Sequence, residues 1–198
     1  MGYYVSVNDV NIYVEDLNPA AQKAILFLHG WPGDHNLFEY QFDKLPHLGY
    51  RCVGMDTRGF GNSDKPFTGY DYDTLSDDVR GVVEALGLHD FTLLGHSTGG
   101  AMAIRYMARH KGYGVKKLVL AAAAAPSLIR RPNFPYGLDE AAILQIIEET
   151  LSDRPQRLLP TGSLYLVSEP RAGPRPPSRR HGYAKPSFPT SSRSMSPR

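Results

Sequence analysis

Apolar and polar positions along the first 120 residues change period repeatedly, which predicts strands interleaved with helices. Residues 3–7 and 10–14 alternate around the turn-forming pair Asn8-Asp9, so we predict an antiparallel hairpin. Continuous apolar runs are typical of strands covered on both faces. Such runs predict buried strands at 24–28, 51–55, 91–94 and 115–120.

Helical spacing of apolar side chains separates these strands. The clearest example, 75–86, has apolar residues at i, i+4, i+7, i+8 and i+11, with Asp73 or Thr74 as the expected N-cap. Further helices are predicted at 36–45, 101–110 and 138–151. Strands that alternate with helices over short connections predict an α/β fold with a mostly parallel, doubly wound sheet. Functional sites in such sheets lie beyond the carboxyl ends of the strands.

Residues 94–100 carry the strongest chemical pattern. They read Leu-Gly-His-Ser-Thr-Gly-Gly between a predicted strand and a predicted helix, which is the context in which G-x-S-x-G marks a nucleophile. Glycines at 95 and 99 permit a tight turn, and Ser97 then stands at its apex above the strand ends. The alternative is that Ser97 only caps the following helix, as serine often does.

Two further loops follow predicted strands. His-Gly-Trp-Pro-Gly-Asp at 29–34 could present the Trp31 amide to a site above the sheet, or could be an ordinary turn. Residues 56–66 contain Gly59 and Gly61, but Asp64 replaces the third glycine of a dinucleotide-binding motif and no helix opens there. We therefore interpret this segment as a rigid turn in which Asp56 and Arg58 pair.

Composition narrows the class of protein. The 198 residues are 41% hydrophobic and include one cysteine, which excludes an internal disulfide. No signal peptide and no apolar stretch long enough to span a membrane is evident, so we expect a soluble cytoplasmic protein. The net charge is −5 over 1–150 and +7 over 151–198, where 9 of the 16 prolines fall. We predict that this tail is disordered.

Taken together, three ordered motifs resemble the α/β-hydrolase superfamily: HGWPGD, DTRGFGNSDKP and GHSTGG. The run LLGHSTGGAMAIRYMARH, followed by KKLVLAAAAAP, is similar to its cofactor-independent haloperoxidase and esterase branch. The resemblance covers about residues 3–152. It implies a hydrolase core at 1–125, the start of a lid at 126–153 and an unrelated tail at 154–198.

The resemblance also implies roles for individual residues. Ser97 matches the nucleophile, and the backbone amides of Trp31 and Thr98 match the oxyanion hole. Removal of one hydrogen-bond donor from an oxyanion hole lowers the reaction rate about 10²- to 10³-fold. The Trp31 side chain is expected to line the acyl pocket. His29 and His96 match structural positions. No metal and no organic cofactor is implied, and the expected substrate is a small acyl compound or ester; peracid formation, as in cofactor-free haloperoxidases, is an alternative.

The expected acid and histidine of a catalytic triad are not evident. They should follow the lid, but Asp139 falls in the predicted lid helix, and His181 lies in a Pro/Ser/Arg-rich setting without an orienting acid. His110 ends the helix after Ser97, about 20 Å away at 1.5 Å per residue. We therefore expect the triad to be incomplete and catalysis impaired, and we hypothesise a truncated or frameshifted hydrolase.

Two alternatives to an active enzyme follow from the same sequence. The chain could be an inactive hydrolase scaffold that binds small ligands without catalysis. A module for nucleic acid or an acidic partner would depend on the basic tail alone, and its arginines lack regularly interleaved aromatic residues, so we expect no nucleic-acid partner. Apolar faces left uncovered at an unpaired sheet edge also predict self-association.

Overall fold

The observed elements follow the predicted order along the part of the chain that the structure, a computed structural model, describes, which is residues 1–158. The strands are β1 (Gly2–Val7), β2 (Val10–Leu17), β3 (Lys23–Leu28), β4 (Tyr50–Met55), β5 (Phe91–His96) and β6 (Val115–Ala121). The α-helices are α1 (Glu39–Lys44), α2 (Tyr72–Ala85), α3 (Thr98–Arg109) and α4 (Glu140–Ser152). Short 3₁₀ segments, His35–Phe38 and Pro46–Leu48, flank α1 where a single helix was predicted.

One six-stranded sheet has the order β1-β2-β4-β3-β5-β6. The β1–β2 hairpin and the β2–β4 pair are antiparallel, whereas β4–β3, β3–β5 and β5–β6 are parallel. The predicted mostly parallel α/β sheet is therefore confirmed. Because β3, β4 and β5 are parallel neighbours, the loops that follow them meet at one edge of the sheet.

Apolar side chains cover both faces of the sheet. The larger cluster joins β-strand residues such as Leu26, Val53 and Leu93 to the apolar faces of α2 and α3. On the other face, Phe27 and Cys52 pack with Phe38 and with the partly buried Phe42 of α1. Helices on both faces fix the sheet as the middle layer of three, and the loops at its carboxyl edge rest on this rigid base.

The N-cap of α2 differs from the prediction. Asp71 is the capping residue, and its side chain accepts a hydrogen bond of 2.9 Å from the amide of Thr74. Neither Asp73 nor Thr74 caps the helix, because the helix begins at Tyr72, three residues before its first core position. Asp73 instead pairs with Arg105 of α3. The apolar pattern located the core-facing stripe of the helix but not its first turn.

Strand β6 was predicted to be buried, and this was wrong. Within residues 1–158 it pairs only with β5 and forms the edge of the sheet. The side chains of Leu118, Val119 and Leu120 are 37%, 40% and 44% exposed, although they are as apolar as those of the central strands. An apolar run predicts a strand whose side chains can be buried. Whether they are buried depends on the elements that pack against that strand.

We propose that this edge drives self-association of the chain, because it presents unpaired backbone groups beside apolar side chains. Val119→Lys should lower the mass measured by sedimentation velocity toward that of the monomer, since a lysine on an edge strand disfavours pairing with a second chain. Leu48→Lys is the matched control, because Leu48 is 70% exposed on a 3₁₀ segment remote in sequence from β6, and it should leave association unchanged. A wild-type chain that remains monomeric at its highest soluble concentration contradicts the proposal.

Contacts divide the chain into a unit at Met1–Leu144 and a second that begins at Gln145. In the described part of the second unit, the Arg157 side chain pairs with Glu149 at 3.1 Å. The predicted disordered tail lies almost wholly outside the described residues, and the predicted boundaries at 125 and 153 stay predictions. Among residues 1–158, no helix combines the length and apolar character needed to cross a bilayer.

Candidate functional site

Ser97 occupies the sharp bend between β5 and α3. Its backbone has φ 53° and ψ −119°, a conformation that costs a non-glycine residue about 1–3 kcal/mol. The bend is held by hydrogen bonds from the Ser97 amide to the Ala121 carbonyl and from the Ala124 amide to the Ser97 carbonyl, at 3.1 and 2.8 Å. The fold therefore maintains a strained backbone at the residue that the sequence singled out.

The Ser97 hydroxyl does not cap α3. Ser97 is the N-cap residue by position, but its side chain makes no capping hydrogen bond. The alternative that the Ser97 side chain caps the following helix is therefore wrong. The side chain is partly exposed, so a molecule approaching the carboxyl edge of the sheet can reach it.

The loop after β3 lies directly against this bend. A Cβ atom at position 30 would sit 2.7 Å from the Cβ of Ser97, and one at position 99 would sit 2.6 Å from the His29 carbonyl oxygen. Atoms this close cannot coexist without a shift of backbone, so Gly30 and Gly99 let loop and bend touch. The motifs at 29–34 and 94–100, separate in sequence, form one surface.

The two predicted oxyanion-hole residues come together at this surface. The Trp31 amide donates a hydrogen bond of 2.9 Å to the Thr98 hydroxyl. Thr98 is the first residue of α3, so its own amide has no acceptor within the helix. A helix N-terminus also favours negative charge. The amides of Trp31 and Thr98 therefore lie near Ser97, and the Trp31 amide is hydrogen-bonded to the Thr98 hydroxyl.

His29 fixes the orientation of the Trp31 amide. It is 2% exposed, and its two ring nitrogens lie 3.0 Å from the Gly30 carbonyl oxygen and 3.0 Å from the Thr57 amide. Because an amide can only donate, Nε2 accepts and Nδ1 carries the proton that is donated to Gly30. The Gly33 amide also donates to this carbonyl, at 2.9 Å. The peptide unit that joins Gly30 to Trp31 is thus held at its oxygen.

Burial lowers the pKa of His29, although the hydrogen bond to Gly30 and the nearby Asp56 oppose that shift. As the pH falls, His29 of the unfolded chain takes up a proton near pH 6.5, whereas His29 of the folded chain is still neutral. The folded state is therefore fully stabilised by neutral His29 above pH 6.5, and this contribution to the free energy of unfolding is lost as the pH falls below 6.5. We expect the free energy of unfolding to decrease from pH 7 to pH 5, and less steeply in His29→Gln. The measurement is urea unfolding at each pH.

Exposed His47 provides the control for this titration. His47→Gln should keep the slope of the wild-type chain. Burial also lowers the pKa of His96, so some pH dependence should persist in His29→Gln. Identical pH profiles for His29→Gln and the wild-type chain would show that His29 is as easily protonated in the folded state as in the unfolded one.

Within residues 1–158, no side chain is hydrogen-bonded to the Ser97 hydroxyl as a proton acceptor. The Nδ1 atom of the neighbouring His96 is buried without a hydrogen-bond partner there. His110 lies at the far end of α3, where its Nε2 is 3.0 Å from Asp77. His181 lies outside the described residues. The histidines of the described chain therefore leave the serine without an assigned base.

Asp56 and Arg58 do not pair with each other, contrary to the sequence interpretation. Asp56 is fully buried and accepts from the His35 amide and the Asn62 amide, at 2.7 and 2.9 Å, while His35 Nδ1 lies 2.8 Å away. Arg58 instead reaches Asp78 of α2. The segment is a rigid turn as predicted, but each of these two residues ties it to a different element.

A grouping with metal-ligand chemistry occurs in the same region. Potential ligand atoms of Asp34, His35 and Asp56 lie within 4.8 Å of one another. Hydrogen bonding accounts for the arrangement, since the Asn36 amide donates to Asp34 at 2.9 Å and Asp56 is satisfied by the amides of two loops and by His35. The grouping serves to join the loops that follow β3 and β4.

A cleft of about 310 Å³ opens beside the bend. Its lining includes Trp31 and Thr98, together with residues that the sequence patterns did not single out: Phe60, Tyr70, Tyr72, Leu75 and Met102. The Trp31 side chain lies in the lining of this cleft, and its predicted part in an acyl pocket stays a prediction. The sequence signal for the other members is weak, because two loop aromatic residues and three residues on two different helices have no distinctive spacing.

Comparison with known proteins places this geometry in context. Residues 23–192 match the family model described as alpha/beta hydrolase fold. The chain is 48% identical over 166 residues to the AB hydrolase superfamily protein YisY of Bacillus subtilis, covering 83% of this chain and 61% of that protein. It is 33% identical over 174 residues to the bifunctional esterase/perhydrolase DCH of Acinetobacter calcoaceticus, covering 87% and 63%.

A solved structure shows the same similarity. The esterase EaEST from Exiguobacterium antarcticum superimposes with a TM-score of 0.79 at 43% identity, over 83% of this chain and 61% of that one. The chain thus spans about six-tenths of the length of these relatives. The residues that the family model matches, 23–192, include strands β3 to β6, the bend at Ser97 and the loop that carries Trp31.

Proposed function

Because this chain belongs to the α/β-hydrolase family, we propose that it carries the nucleophile and oxyanion-binding half of an ester-cleaving active site. Ser97 is the proposed nucleophile. The observation that carries the proposal is its strained position between β5 and α3, with a hydroxyl that does not cap the helix and with the Trp31 amide next to it. Strand-to-helix bends of this kind expose a serine to an incoming carbonyl.

In the proposed reaction, the Ser97 oxygen attacks the ester carbonyl carbon while its proton passes to a base. The carbonyl oxygen becomes an anion, which the amides of Trp31 and Thr98 stabilise. The anion must replace the Thr98 hydroxyl as the acceptor of the Trp31 hydrogen. Collapse of the intermediate breaks the bond to the leaving oxygen, which takes the proton back from the base and departs as the alcohol. Water then cleaves the acyl-serine to the carboxylic acid and free Ser97.

The proton acceptor determines the rate. A serine hydroxyl is a weak nucleophile without an adjacent base, and loss of a triad histidine costs about 10⁶-fold in turnover. Since residues 1–158 place no base on Ser97, we propose impaired catalysis for this polypeptide. The test is the release of p-nitrophenol from p-nitrophenyl acetate, combined with a mass-spectrometric search for acetyl on the peptide that contains Ser97.

A non-catalytic scaffold is the second candidate function. It is favoured by the hydrogen bond that already occupies the Trp31 amide and by the lack of a described base for Ser97. A scaffold would bind small molecules in the cleft but would show neither acetylation of Ser97 nor ester cleavage that depends on Ser97. The acetylation experiment therefore separates the two candidates.

Perhydrolysis is a variant of the first candidate. The names of relatives favour it, since one is an esterase/perhydrolase and several others are non-heme haloperoxidases. Hydrogen peroxide would then attack the acyl-serine in place of water and release a peracid. Bromination of monochlorodimedone in acetate, bromide and hydrogen peroxide, in which the peracid oxidises bromide, supports this variant if it is lost with Ser97→Ala; bromination that survives that substitution rejects it.

A further inference from the structure

We infer that a second cleft, here called the outer cleft, binds a small amphipathic carboxylate, that is, one carboxylate group on a short alkyl chain. The outer cleft has a volume of about 530 Å³ and lies between α3 and the segment that follows β6. Ser97, Trp31 and Thr98 are not among the residues that line it. The lining residues on which the inference depends are Ala101, Ile104, Arg105, Ala108, Leu128 and Arg131.

The outer cleft and the cleft beside Ser97 use different sides of α3. Thr98 and Met102, one turn apart, line the cleft beside Ser97, whereas Ile104 and Ala108, also one turn apart, line the outer cleft. With 3.6 residues per turn, the two pairs point about 120° apart around the helix axis. Among the described residues, only Tyr72 lines both clefts. A ligand in the outer cleft therefore occupies a site of its own.

Apolar side chains in the outer cleft are left open to solvent. Ile104 of α3 is 38% exposed and Leu128 of the facing segment is 52% exposed. Ala101 and Ala108 carry small side chains, so the surface of α3 between them is open to an incoming molecule. An alkyl chain bound here would remove both itself and these side chains from water, which is favourable.

The charged residues of the outer cleft select an anion. Of the described residues that line it, two are arginines and none is an acid. Arg105 is paired with Asp73 of α2, whereas the Arg131 guanidinium has no ion pair within residues 1–158. A guanidinium presents two parallel N–H groups that match the two oxygens of a carboxylate. Arg131 is therefore the partner of the head group, and the apolar walls are the partner of the alkyl chain.

Octanoate is the probe for this site, because the volume of the outer cleft is within the range of small-molecule sites. In isothermal titration calorimetry we expect saturable binding of one octanoate per chain. Octanol has the same chain without the charge and should bind about tenfold more weakly, since it forms no charge-assisted hydrogen bond with Arg131. Octylammonium carries the opposite charge and should give no saturable heat. From butanoate to octanoate, each added CH₂ should tighten binding by up to about fourfold.

Two arginine variants locate the head group. Arg131→Gln should weaken octanoate binding about tenfold, to the affinity of octanol, and should leave octanol binding unchanged. Arg130→Gln is the matched control, because Arg130 is the preceding residue, pairs with Asp139 at 3.0 Å and does not line the outer cleft. This control should keep the wild-type preference for octanoate over octanol.

Two alanine variants locate the alkyl chain. Ala108→Leu places a larger side chain at an exposed position inside the outer cleft and should weaken octanoate binding about fivefold or more, because it fills volume that the chain would occupy. Ala85→Leu makes the same change at an exposed position of α2 outside the outer cleft and should have no effect. Circular dichroism confirms that every variant folds.

Four results would each overturn the inference. These are no saturable heat with octanoate, equal affinities for octanoate and octanol, equal effects of the two arginine variants, and equal effects of the two alanine variants. Phe60 lines the cleft beside Ser97 and not the outer cleft. Phe60→Ala should therefore keep wild-type affinity for octanoate, and a loss as large as that in Ala108→Leu would place octanoate beside Ser97 and also overturn the inference.

The inference does not rest on the proposed function, because binding in the outer cleft requires neither Ser97 nor its acetylation. Ser97→Ala should bind octanoate with wild-type affinity. Octanoate binding in a chain whose Ser97 is never acetylated supports the outer site and rejects the esterase. Acetylation of Ser97 without octanoate binding rejects the outer site and supports the esterase.

Discussion

We expect Ser97→Ala to abolish acetyl transfer from p-nitrophenyl acetate to this region of the chain and to lower p-nitrophenol release to the rate of the uncatalysed reaction. The substitution deletes one oxygen and leaves the β5–α3 bend intact, because its hydrogen bonds use the Ser97 backbone. The Ser97-dependent rate of the wild-type chain should itself be lower by a factor of about 10⁴ or more than that of a complete triad enzyme, since no described base contacts the hydroxyl.

Ser6→Ala is the matched control for this experiment. Ser6 is an exposed serine on β1, and its loss should change neither acetylation nor turnover. Turnover that is the same in Ser97→Ala and the wild-type chain would show that cleavage occurs elsewhere. Turnover as fast as that of a complete triad enzyme would show that a base reaches Ser97 from beyond residue 158, and impaired catalysis would be wrong.

The sequence patterns located the bend between β5 and α3 and the loop after β3 because both depend on local requirements. A serine flanked by glycines between a strand and a helix needs no knowledge of the rest of the fold, and parallel order alone brings the ends of β3 and β5 together. Family resemblance then suggested the Trp31 and Thr98 amides. What it did not reveal is that the Thr98 hydroxyl accepts the Trp31 hydrogen bond, which depends on a side-chain rotamer.

Errors in the sequence interpretation share one physical origin. The type of a residue does not determine which residues it contacts in the folded chain. Asp56 and Arg58 are two residues apart and opposite in charge, yet each turns to a different element of the fold. Strand β6 has a core-like composition but lies at an edge among the described residues. Likewise, the aromatic residues of the cleft beside Ser97 come from the loops after β3 and β4 and from the first turn of α2, and only the folded chain brings Trp31 next to the others.

Asp78→Ala should destabilise the folded chain by about 3–5 kcal/mol, which is the cost of leaving a buried cation without its partner. Asp78 and Arg58 are 1% and 5% exposed, and they form two hydrogen bonds of 2.6 and 2.7 Å. Arg58 keeps its charge after the substitution, because a guanidinium is not deprotonated in proteins. The pair ties the loop after β4 to α2. The measurement is equilibrium unfolding in urea.

Glu84→Ala is the matched control, because it breaks an ion pair that lies on the same helix, α2, but is exposed to solvent. Arg80 and Glu84 lie 2.7 Å apart at i, i+4, and the Glu84 side chain is 53% exposed. Its loss should cost no more than about 0.5 kcal/mol. Replacing both buried partners, as Arg58→Met with Asp78→Leu, should recover much of the stability lost in Asp78→Ala, since no buried charge is then left unpaired. A cost for Asp78→Ala as small as that for Glu84→Ala would mean that water reaches Arg58 in the folded chain.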